Sequence, residues 1–283
     1  MHLPVMKEEV LSFLDPRPGD VVVDATFGGG GHSAEILKRI TPGGILVAID
    51  RDVEALERAK KIFGEGIKNV VTVKGNFRDI ADILKERGIG KIDGAVFDLG
   101  FSSYQIDEAA RGFSYTLEGP LDMRFDRSGG ITAKDIVNTF SEEDIRELIR
   151  DYGEERHYRL IASAIVAGRK EARIETTGQL SGIVEKAVGR WYSKQRIHPA
   201  CRTFQALRIK VNDELSAAEQ GLEGAISVLA PGRRICAISF HSLEDRVVKT
   251  VFKKEAKFGT LKMLAKKPII PCEDEVRTNP RSR

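Results

Sequence analysis

Between residues 20 and 100 the chain alternates short runs of β-branched apolar residues with amphipathic stretches of about ten residues. This alternation is typical of βαβ units, whose right-handed crossovers build a parallel sheet covered by helices on both faces. It predicts strands at 21–25, 45–50, 70–74 and 94–98 and helices at 32–40, 53–63 and 80–87. Two of these strands end in a carboxylate, Asp50 and Asp98, and ligands of such sheets bind beyond the carboxyl ends of the strands.

The alternation stops after Asp98. Residues from about 111 to 208 have a helical pattern without a convincing strand, and Ser141 with three following acids predicts a helix start. A strand pattern returns at 232–240, after a helical pattern at 213–229. The predicted architecture is therefore a doubly wound, Rossmann-like α/β domain formed by 1–108 and 210–283, with an inserted helical domain at 109–209.

Composition narrows the class of protein. Hydrophobic residues make up 41% and charged residues 31% of the 283 residues, which fits a globular chain, and the net charge of +3 is too small to indicate a nucleic-acid or membrane partner by itself. The three cysteines are too far apart for a disulfide framework or a metal-binding pair. Neither a signal peptide nor an apolar run of membrane-spanning length is present, so we expect a cytoplasmic protein.

Four consecutive glycines at 28–31 follow the first strand and open the first helix. Their backbone can approach a ligand closely, and the free N–H groups at a helix start favour an anionic group. A dinucleotide-binding G-x-G-x-x-G sequence requires a third glycine where this chain has Ser33. The pattern that begins at Asp24 and continues with small residues at two-residue steps instead resembles the loop that binds S-adenosylmethionine. Thr26 stands in place of the first glycine of that loop.

Asp50 stands at the right distance from this loop to accept hydrogen bonds from a ribose diol. Both cofactors contain that ribose, so Asp50 does not discriminate between them. Asp24, close to where a cationic group would lie, and Phe77, able to cover an adenine, favour S-adenosylmethionine. The alternative is purely structural: the glycines make a tight turn and Asp50 caps the next helix.

The loop after the fourth strand, 98–107, is where methyltransferases of this fold present the acceptor. It lacks an N-P-P-Y-type motif and a cysteine, and methylation at a pyrimidine C5 needs a thiolate. These absences favour attack by a nitrogen held in line with the methyl group, with one polar group accepting its proton or hydrogen bond.

Two local segments are basic although the whole chain is nearly neutral. Residues 186–212 carry seven basic residues and no acid, interleaved with aromatic side chains, and 246–283 carry eleven Lys and Arg against four Asp and Glu. RNA-binding proteins commonly stack aromatic side chains on the bases while Arg and Lys neutralise the phosphates. Arg202 and Arg208 are therefore candidate substrate contacts. His241, directly after the fifth strand, is a third candidate. No histidine or cysteine spacing fits zinc, and we predict no metal.

Several motifs together resemble one family, the bacterial 16S rRNA (cytosine-N4)-methyltransferases of the MraW type. The motifs that carry the resemblance are 2–5, 28–33, 98–103, 111–113, 119–124, 152–155, 203–208, 238–246 and 279–281. Members methylate the exocyclic amine of a cytidine in the decoding region of the small ribosomal subunit. Tyr104 and Cys201 depart from the residues that often align there, and the chain ends at Arg283, where relatives usually continue with more basic residues, so we expect a truncated tail that weakens RNA affinity.

The resemblance implies a set of S-adenosylmethionine contacts and implies that the insert helps to recognise 16S rRNA. The implied contacts are Gly30, Gly31, His32, Asp50, Phe77, Asp98 and Gln105. Asp98 is the expected catalytic residue, since it borders the reacting centre. Two other readings stay open: a nicotinamide-dependent oxidoreductase, and an RNA-binding assembly factor without catalysis. The oligomeric state is not indicated.

Overall fold

The structure is a computed structural model that describes residues 4–64, 67–189, 192 and 197–282. The chain divides into two compact units, Met1–Gly100 with Leu215–Arg283, and Phe101–Glu214. The insert predicted at 109–209 lies within the second unit.

The first unit contains a five-stranded, fully parallel sheet in the order β3-β2-β1-β4-β5. Its strands are β1 Val21–Asp24, β2 Ile45–Asp50, β3 Val70–Lys74, β4 Ile92–Asp98 and β5 Leu229–Ile238. The predicted doubly wound α/β class is confirmed. The predicted strand ends differ by up to three residues, and because β1 ends at Asp24, three strands rather than two end in a carboxylate.

Seven helices named here belong mainly to the first unit. They are α1 Lys7–Leu14, α2 Gly31–Ile40, α3 Val53–Phe63, α4 Ile80–Glu86, α11 Glu214–Val228, α12 Ser242–Phe258 and α13 Glu273–Thr278. Alternate side chains of each strand point to opposite faces of the sheet. Val23 and Val47 accordingly pack into one core cluster, while their neighbours Val22 and Leu46 pack into the other. Both faces are apolar, so helices cover both.

The order of the strands creates a crevice. The chain builds outward from β1 to β2 and β3, then returns to place β4 on the other side of β1. The connections therefore diverge beyond the carboxyl ends of β1 and β4, where ligands bind in sheets of this type. Asp24 ends β1 beside Val96 of β4, and Asp98 ends β4 beside Ile238 of β5.

The second unit is helical. Its helices are α5 Ser103–Asp107, α6 Ala133–Thr139, α7 Glu142–Gly153, α8 Tyr158–Glu171, α9 Thr177–Val188 and α10 Cys201–Asn212. The predicted helix start at Ser141 is confirmed: Ser141 and Asp144 form a reciprocal capping box at α7. Within the described part of this unit the β-pairing consists of one isolated bridge, between Pro120 and Thr176.

Two general features of the described residues bear on the sequence expectations. The cysteines Cys201, Cys236 and Cys272 are free thiols. In the part of the chain that the structure covers, every helix is too short or too polar to traverse a lipid bilayer.

We predict that Gly119→Ala strongly destabilises the protein. A Cβ at Gly119 would stand 1.9 Å from the backbone oxygen of Ala109, and backbone atoms cannot move aside as a flexible side chain can. Overpacking of this kind costs roughly 1–3 kcal/mol or more, and the melting temperature should fall by several degrees.

Gly182→Ala is the matched control. Apart from its chain neighbours and the backbone of its own helix, no described atom lies within 4 Å of the added Cβ, and Gly182 is inside α9, where alanine stabilises a helix by about 0.5–1 kcal/mol. Equal melting temperatures for the two variants would contradict the steric argument.

Candidate functional site

The glycine-rich loop joins β1 to α2 and is held by its neighbours. The N–H of Gly28 donates to Oδ2 of Asp50 over 2.8 Å, and the N–H of Gly30 donates to the backbone oxygen of Phe27 over 2.7 Å. Gly30 has a φ of 73°, and a Cβ there would stand 2.6 Å from the Phe27 ring. This position therefore requires glycine for both its backbone angle and its space.

Asp50 connects the glycine-rich loop to the end of β2. One carboxylate oxygen accepts from Gly28, and the other accepts from the N–H of Asp52 over 2.8 Å. The cap of α3 is Asp52, whose side chain accepts from Glu54, so the alternative in which Asp50 caps that helix is wrong. Burial raises the pKa of Asp50 to about 6. Each oxygen keeps a further acceptor site that a ligand hydroxyl can use.

Asp24 faces the start of α2. Its Oδ2 accepts from the hydroxyl of Ser33 over 2.6 Å, and its Oδ1 accepts from the N–H of Thr26 over 3.2 Å. Burial raises the pKa of Asp24 to about 6, although these hydrogen bonds act in the opposite direction. Ser33, the residue that breaks the dinucleotide motif, thus supplies a hydroxyl that this carboxylate uses.

Asp98 and His32 meet at the carboxyl end of β4. The Oδ2 of Asp98 lies 3.7 Å from Nε2 of His32, and the backbone N–H of Asp98 donates to the hydroxyl of Thr26 over 2.7 Å. Among the described residues, Asp98 Oδ1 and both ring nitrogens of His32 are buried without a hydrogen-bond partner. These atoms offer a bound ligand three unsatisfied polar positions.

The electrostatics around Asp98 are strongly negative. Burial, followed by the charges of Asp24 and Glu244, raises the pKa of Asp98 to about 8. Burial also lowers the pKa of His32 to about 4, so the imidazole is neutral near pH 7 and does not compensate the carboxylates. The crevice of the cofactor-free protein therefore favours a cation.

Glu244 is a residue of this site that the sequence reasoning missed. It is only 2% exposed, its Oε2 accepts from the N–H of Phe240 over 2.8 Å, and its N–H donates to Nδ1 of His241 over 3.3 Å. In sequence it is an acid in the first turn of α12, which is an ordinary capping position. Its effect on Asp98 follows only from the neighbouring positions of β4 and β5. His241 itself caps α12 at the same edge of the sheet.

Phe77 lies just after β3 in a short 3-10 helix. Its ring packs edge-on against Phe97 with centroids 5.7 Å apart. A Cβ at Gly221 would stand 2.6 Å from the Phe77 ring, so a glycine of α11 makes room for this side chain.

The N-terminal segment lies against the glycine-rich loop of the first unit, and the C-terminal helix α13 contacts that segment. Glu275 of α13 accepts from the N–H of Met6 over 2.5 Å and from the hydroxyl of Ser282 over 2.6 Å. A Cβ at Gly31 would stand 3.0 Å from Pro4, so the N-terminal segment lies against the loop. The structure thus brings segments from opposite ends of the sequence into contact.

The remaining predicted site residues are in the second unit. Gln105 is buried and forms a capping box with Ser102 at the start of α5. The backbone N–H of Ser102 donates to Oε1 of Gln105 over 2.9 Å. Arg202 donates to the backbone oxygen of Glu154 over 2.9 Å. Arg190, Trp191, Lys194 and Arg196 of the basic segment, together with His2, Leu3 and Arg283, lie outside the described residues.

Arg208 has well-defined partners within the second unit. Its Nε and Nη2 donate to the two carboxylate oxygens of Glu214, both over 2.9 Å, and its guanidinium lies 4.5 Å from the centroid of the Phe101 ring. Both side chains of the ion pair are 8% exposed. This bidentate, buried arrangement gives Arg208 a structural role that the basic sequence pattern did not indicate.

Comparison with known sequences covers both units. A sequence model of the MraW methylase family matches residues 1–283. The protein named ribosomal RNA small subunit methyltransferase H of Pelobacter propionicus is 48% identical over 301 positions, which cover 100% of this chain and 95% of that protein. Proteins of the same name from Caldicellulosiruptor bescii and Geobacter sulfurreducens are 48% and 46% identical, covering 99% and 100% of this chain and 95% and 96% of theirs.

We predict that Asp98→Asn stabilises the cofactor-free protein at alkaline pH. The folded pKa of about 8 exceeds the ordinary value of 3.8, so the folded state binds this proton more tightly. The contribution of Asp98 to the free energy of unfolding is therefore fully present below about pH 4 and is lost as the pH rises toward 8. The neutral amide avoids that loss, and the melting temperature of the variant should exceed that of the wild type by roughly 5 °C near pH 8.5.

Thermal unfolding from pH 5 to pH 8.5 checks this sign, with exposed Asp82→Asn as the matched control. The advantage of Asp98→Asn should shrink as the pH falls, while Asp82→Asn should follow the wild type throughout. An advantage that is independent of pH would show that burial does not hold the Asp98 proton.

Proposed function

The chain belongs to the MraW methylase family, and on that premise we propose that it transfers a methyl group from S-adenosylmethionine to the exocyclic N4 of a cytidine in the decoding region of 16S rRNA. The acceptor is presented in the small ribosomal subunit, which gives the enzyme a cytoplasmic location. The observation that carries the proposal is the carboxylate-lined crevice beside a glycine-rich loop, at the reversal of the strand order.

The charge of the crevice supports a cationic cofactor. Asp24, Asp98 and Glu244 come together with a neutral His32, and two of these carboxyls have a raised pKa. The sulfonium and ammonium groups of S-adenosylmethionine would stabilise this buried negative charge. A nicotinamide dinucleotide would instead bring an anionic pyrophosphate to the same loop, so the electrostatics argue against the oxidoreductase alternative.

The predicted contacts to the different parts of the cofactor come from different elements of the fold. The backbone N–H of Gly31 would hold the methionine carboxylate at the start of α2, and Gly30, whose own N–H donates to Phe27, would contact the cofactor through its backbone. Asp50 would accept from the ribose diol, and Phe77 would cover the adenine. His32 and Asp98 offer unsatisfied polar atoms. Gln105 stays a prediction from the resemblance.

When bound, S-adenosylmethionine supplies an electrophilic methyl group on a positively charged sulfur. The amine of cytosine is conjugated with its ring and is a weak nucleophile, so the protein must orient it and exclude water. The nitrogen must also lose a proton after the carbon–nitrogen bond forms. We assign Asp98, whose ionised form the positive charge of the bound cofactor favours, as the group that accepts a hydrogen bond from this amine and receives or relays that proton.

Methyl transfer to small subunits from cells that lack this activity tests the function. Label from S-adenosylmethionine should be recovered as N4-methylcytidine after nucleoside analysis. Asp98→Ala should reduce the rate by about 100-fold or more, because it removes the polar group beside the reacting nitrogen. Asp82→Ala, on the exposed face of α4, serves as the control.

The two alternative functions predict different experimental results. Saturable NADH or NADPH binding without S-adenosylmethionine binding would favour the oxidoreductase. Cofactor and subunit binding by the wild type without turnover would favour a non-catalytic assembly factor. Wild-type turnover in a folded Asp98→Ala variant would remove Asp98 from the mechanism.

Arg202, Arg208 and His241 remain proposed RNA contacts, and the two arginines should respond differently to substitution. Arg202→Ala should weaken rRNA binding and reduce the slope of log affinity against log salt by about 0.7, with S-adenosylmethionine affinity unchanged. Arg208→Ala should weaken rRNA binding as well. It also removes two hydrogen bonds from the buried carboxylate of Glu214 and should destabilise the fold by about 3–5 kcal/mol.

Salt-dependent RNA binding and thermal unfolding, measured on both variants, check this difference. Undiminished rRNA affinity in Arg202→Ala would exclude that contact. An unchanged melting temperature in Arg208→Ala would contradict the structural role of the ion pair.

A further inference from the structure

The C-terminal end is one of the two strongly basic segments of this chain. Residues 246–283 contain 11 Lys and Arg against 4 Asp and Glu, and the remaining residues contain 34 against 38. The net charge of +3 therefore combines an acidic majority with a strongly basic final segment. A polyanion approaching this protein would be attracted to that segment, as to the equally basic segment 186–212.

Helix α12 arranges part of this charge on one face. At 3.6 residues per turn, Arg246, Lys249, Lys253 and Lys257 fall within about 80° of the helix circumference. Val247, Val251 and related apolar residues of the opposite face pack into the core of the first unit. The basic face is consequently the outer face of a helix that is anchored along its other side.

The three lysines of this face are available to a partner. Lys249, Lys253 and Lys257 are exposed, and within the described part of the chain no ion pair or hydrogen bond joins them to an acid. Lys254, which points to another side of the helix, differs: its Nζ lies 2.7 Å from Oε1 of Glu223. These three lysines thus keep their charge uncompensated among the described residues of the first unit.

An exposed aromatic residue follows this row of basic residues at the end of the helix. Phe258 is the last residue of α12 and is 72% exposed, although an exposed phenyl ring gains nothing from the core of its own protein. Gly259, with a φ of 79°, stops the helix immediately after it. A lysine row ending in a free aromatic ring is the combination with which proteins bind single-stranded RNA.

The position of α12 relates this face to the crevice of the first unit. The helix begins just beyond β5, at the carboxyl edge of the sheet, and runs away from that edge for 17 residues. Arg246 is in its second turn, and Lys257 is about 17 Å farther along the axis. The row would therefore meet nucleotides that flank the acceptor rather than the acceptor itself.

We propose that the basic face of α12, formed by Arg246, Lys249, Lys253 and Lys257, binds, together with the exposed Phe258 at the end of the helix, a single-stranded segment of the RNA substrate that flanks the methylated nucleotide. The lysines neutralise successive phosphates, and the Phe258 ring stacks on one unpaired base. This inference rests on the proposed function, since the RNA is the substrate of the crevice.

A charge-neutralised variant tests the lysine row. Lys249→Gln, Lys253→Gln and Lys257→Gln are combined and compared with Lys61→Gln, Lys68→Gln and Lys85→Gln, which remove the same charge from other exposed positions of the first unit. Binding to 16S rRNA is measured over a series of KCl concentrations, and methyl transfer is measured with small subunits.

The α12 variant should lower the magnitude of the log–log salt slope by about 2, because three phosphate contacts are lost. Its KM for small subunits should rise about tenfold or more, with kcat and S-adenosylmethionine affinity within twofold of the wild type. The control should retain the wild-type slope and KM. Equal effects in both variants would overturn the proposal, since they would reflect net charge alone.

Phe258 provides an independent test. Phe258→Leu keeps an apolar side chain but loses the ring, and it should weaken RNA binding by about 5-fold to 100-fold, whereas Phe258→Trp should retain binding. Wild-type affinity in Phe258→Leu would overturn the stacking role. Binding to vesicles of phosphatidylcholine and phosphatidylglycerol that is lost in the α12 variant, while RNA binding is unchanged, would assign the face to a lipid surface instead.

Measurements on the wild type distinguish a failure of the α12 proposal from a failure of the proposed function. If it methylates small-subunit RNA while the α12 variants behave like it, only the role of α12 is wrong. If the wild type neither binds nor methylates that RNA, the proposed function fails.

Discussion

Buried negative charge at one edge of a parallel sheet is the constraint around which the first unit is organised. Asp24 and Asp98 end adjacent strands, and Glu244 enters from the helix after β5. Asp24 is stabilised by Ser33 and Thr26, whereas Asp98 keeps one oxygen without a partner among the described residues and has its pKa raised to about 8. Such an arrangement is unfavourable in the empty protein and becomes favourable when a cation enters.

The sheet topology explains why these groups meet. Residues 24 and 98 are far apart in sequence, yet the return of the chain from β3 to the other side of β1 makes their strands neighbours. Thr26 strengthens this junction, because its hydroxyl accepts from the N–H of Asp98 over 2.7 Å. Thr26 also stands where the loop pattern usually has a glycine, so the departure from that pattern has a structural reason.

The second unit shows how a charge pattern can mislead. Arg208 belongs to a basic, aromatic segment, yet it forms a bidentate ion pair with Glu214 and covers the Phe101 ring. The acid lies six positions away and outside the acid-free segment, so the local pattern did not include it. On α12 the opposite holds: among the described residues no ion pair or hydrogen bond joins Lys249, Lys253 or Lys257 to an acid, and this face of the helix remains charged toward solvent.

By itself, the sequence determined the local elements and the motifs. Apolar periodicity predicted the doubly wound sheet, the helical insert and most strand ends to within a few residues, because side-chain alternation and helix caps such as Ser141 are local effects. Only the tertiary structure decided which charged groups face each other. The raised pKa of Asp98, the contribution of Glu244 and the pairing of Arg208 all depend on distances between elements that are remote in the chain. Electrostatic energy depends on those distances and on burial, and neither can be read from spacing along the sequence.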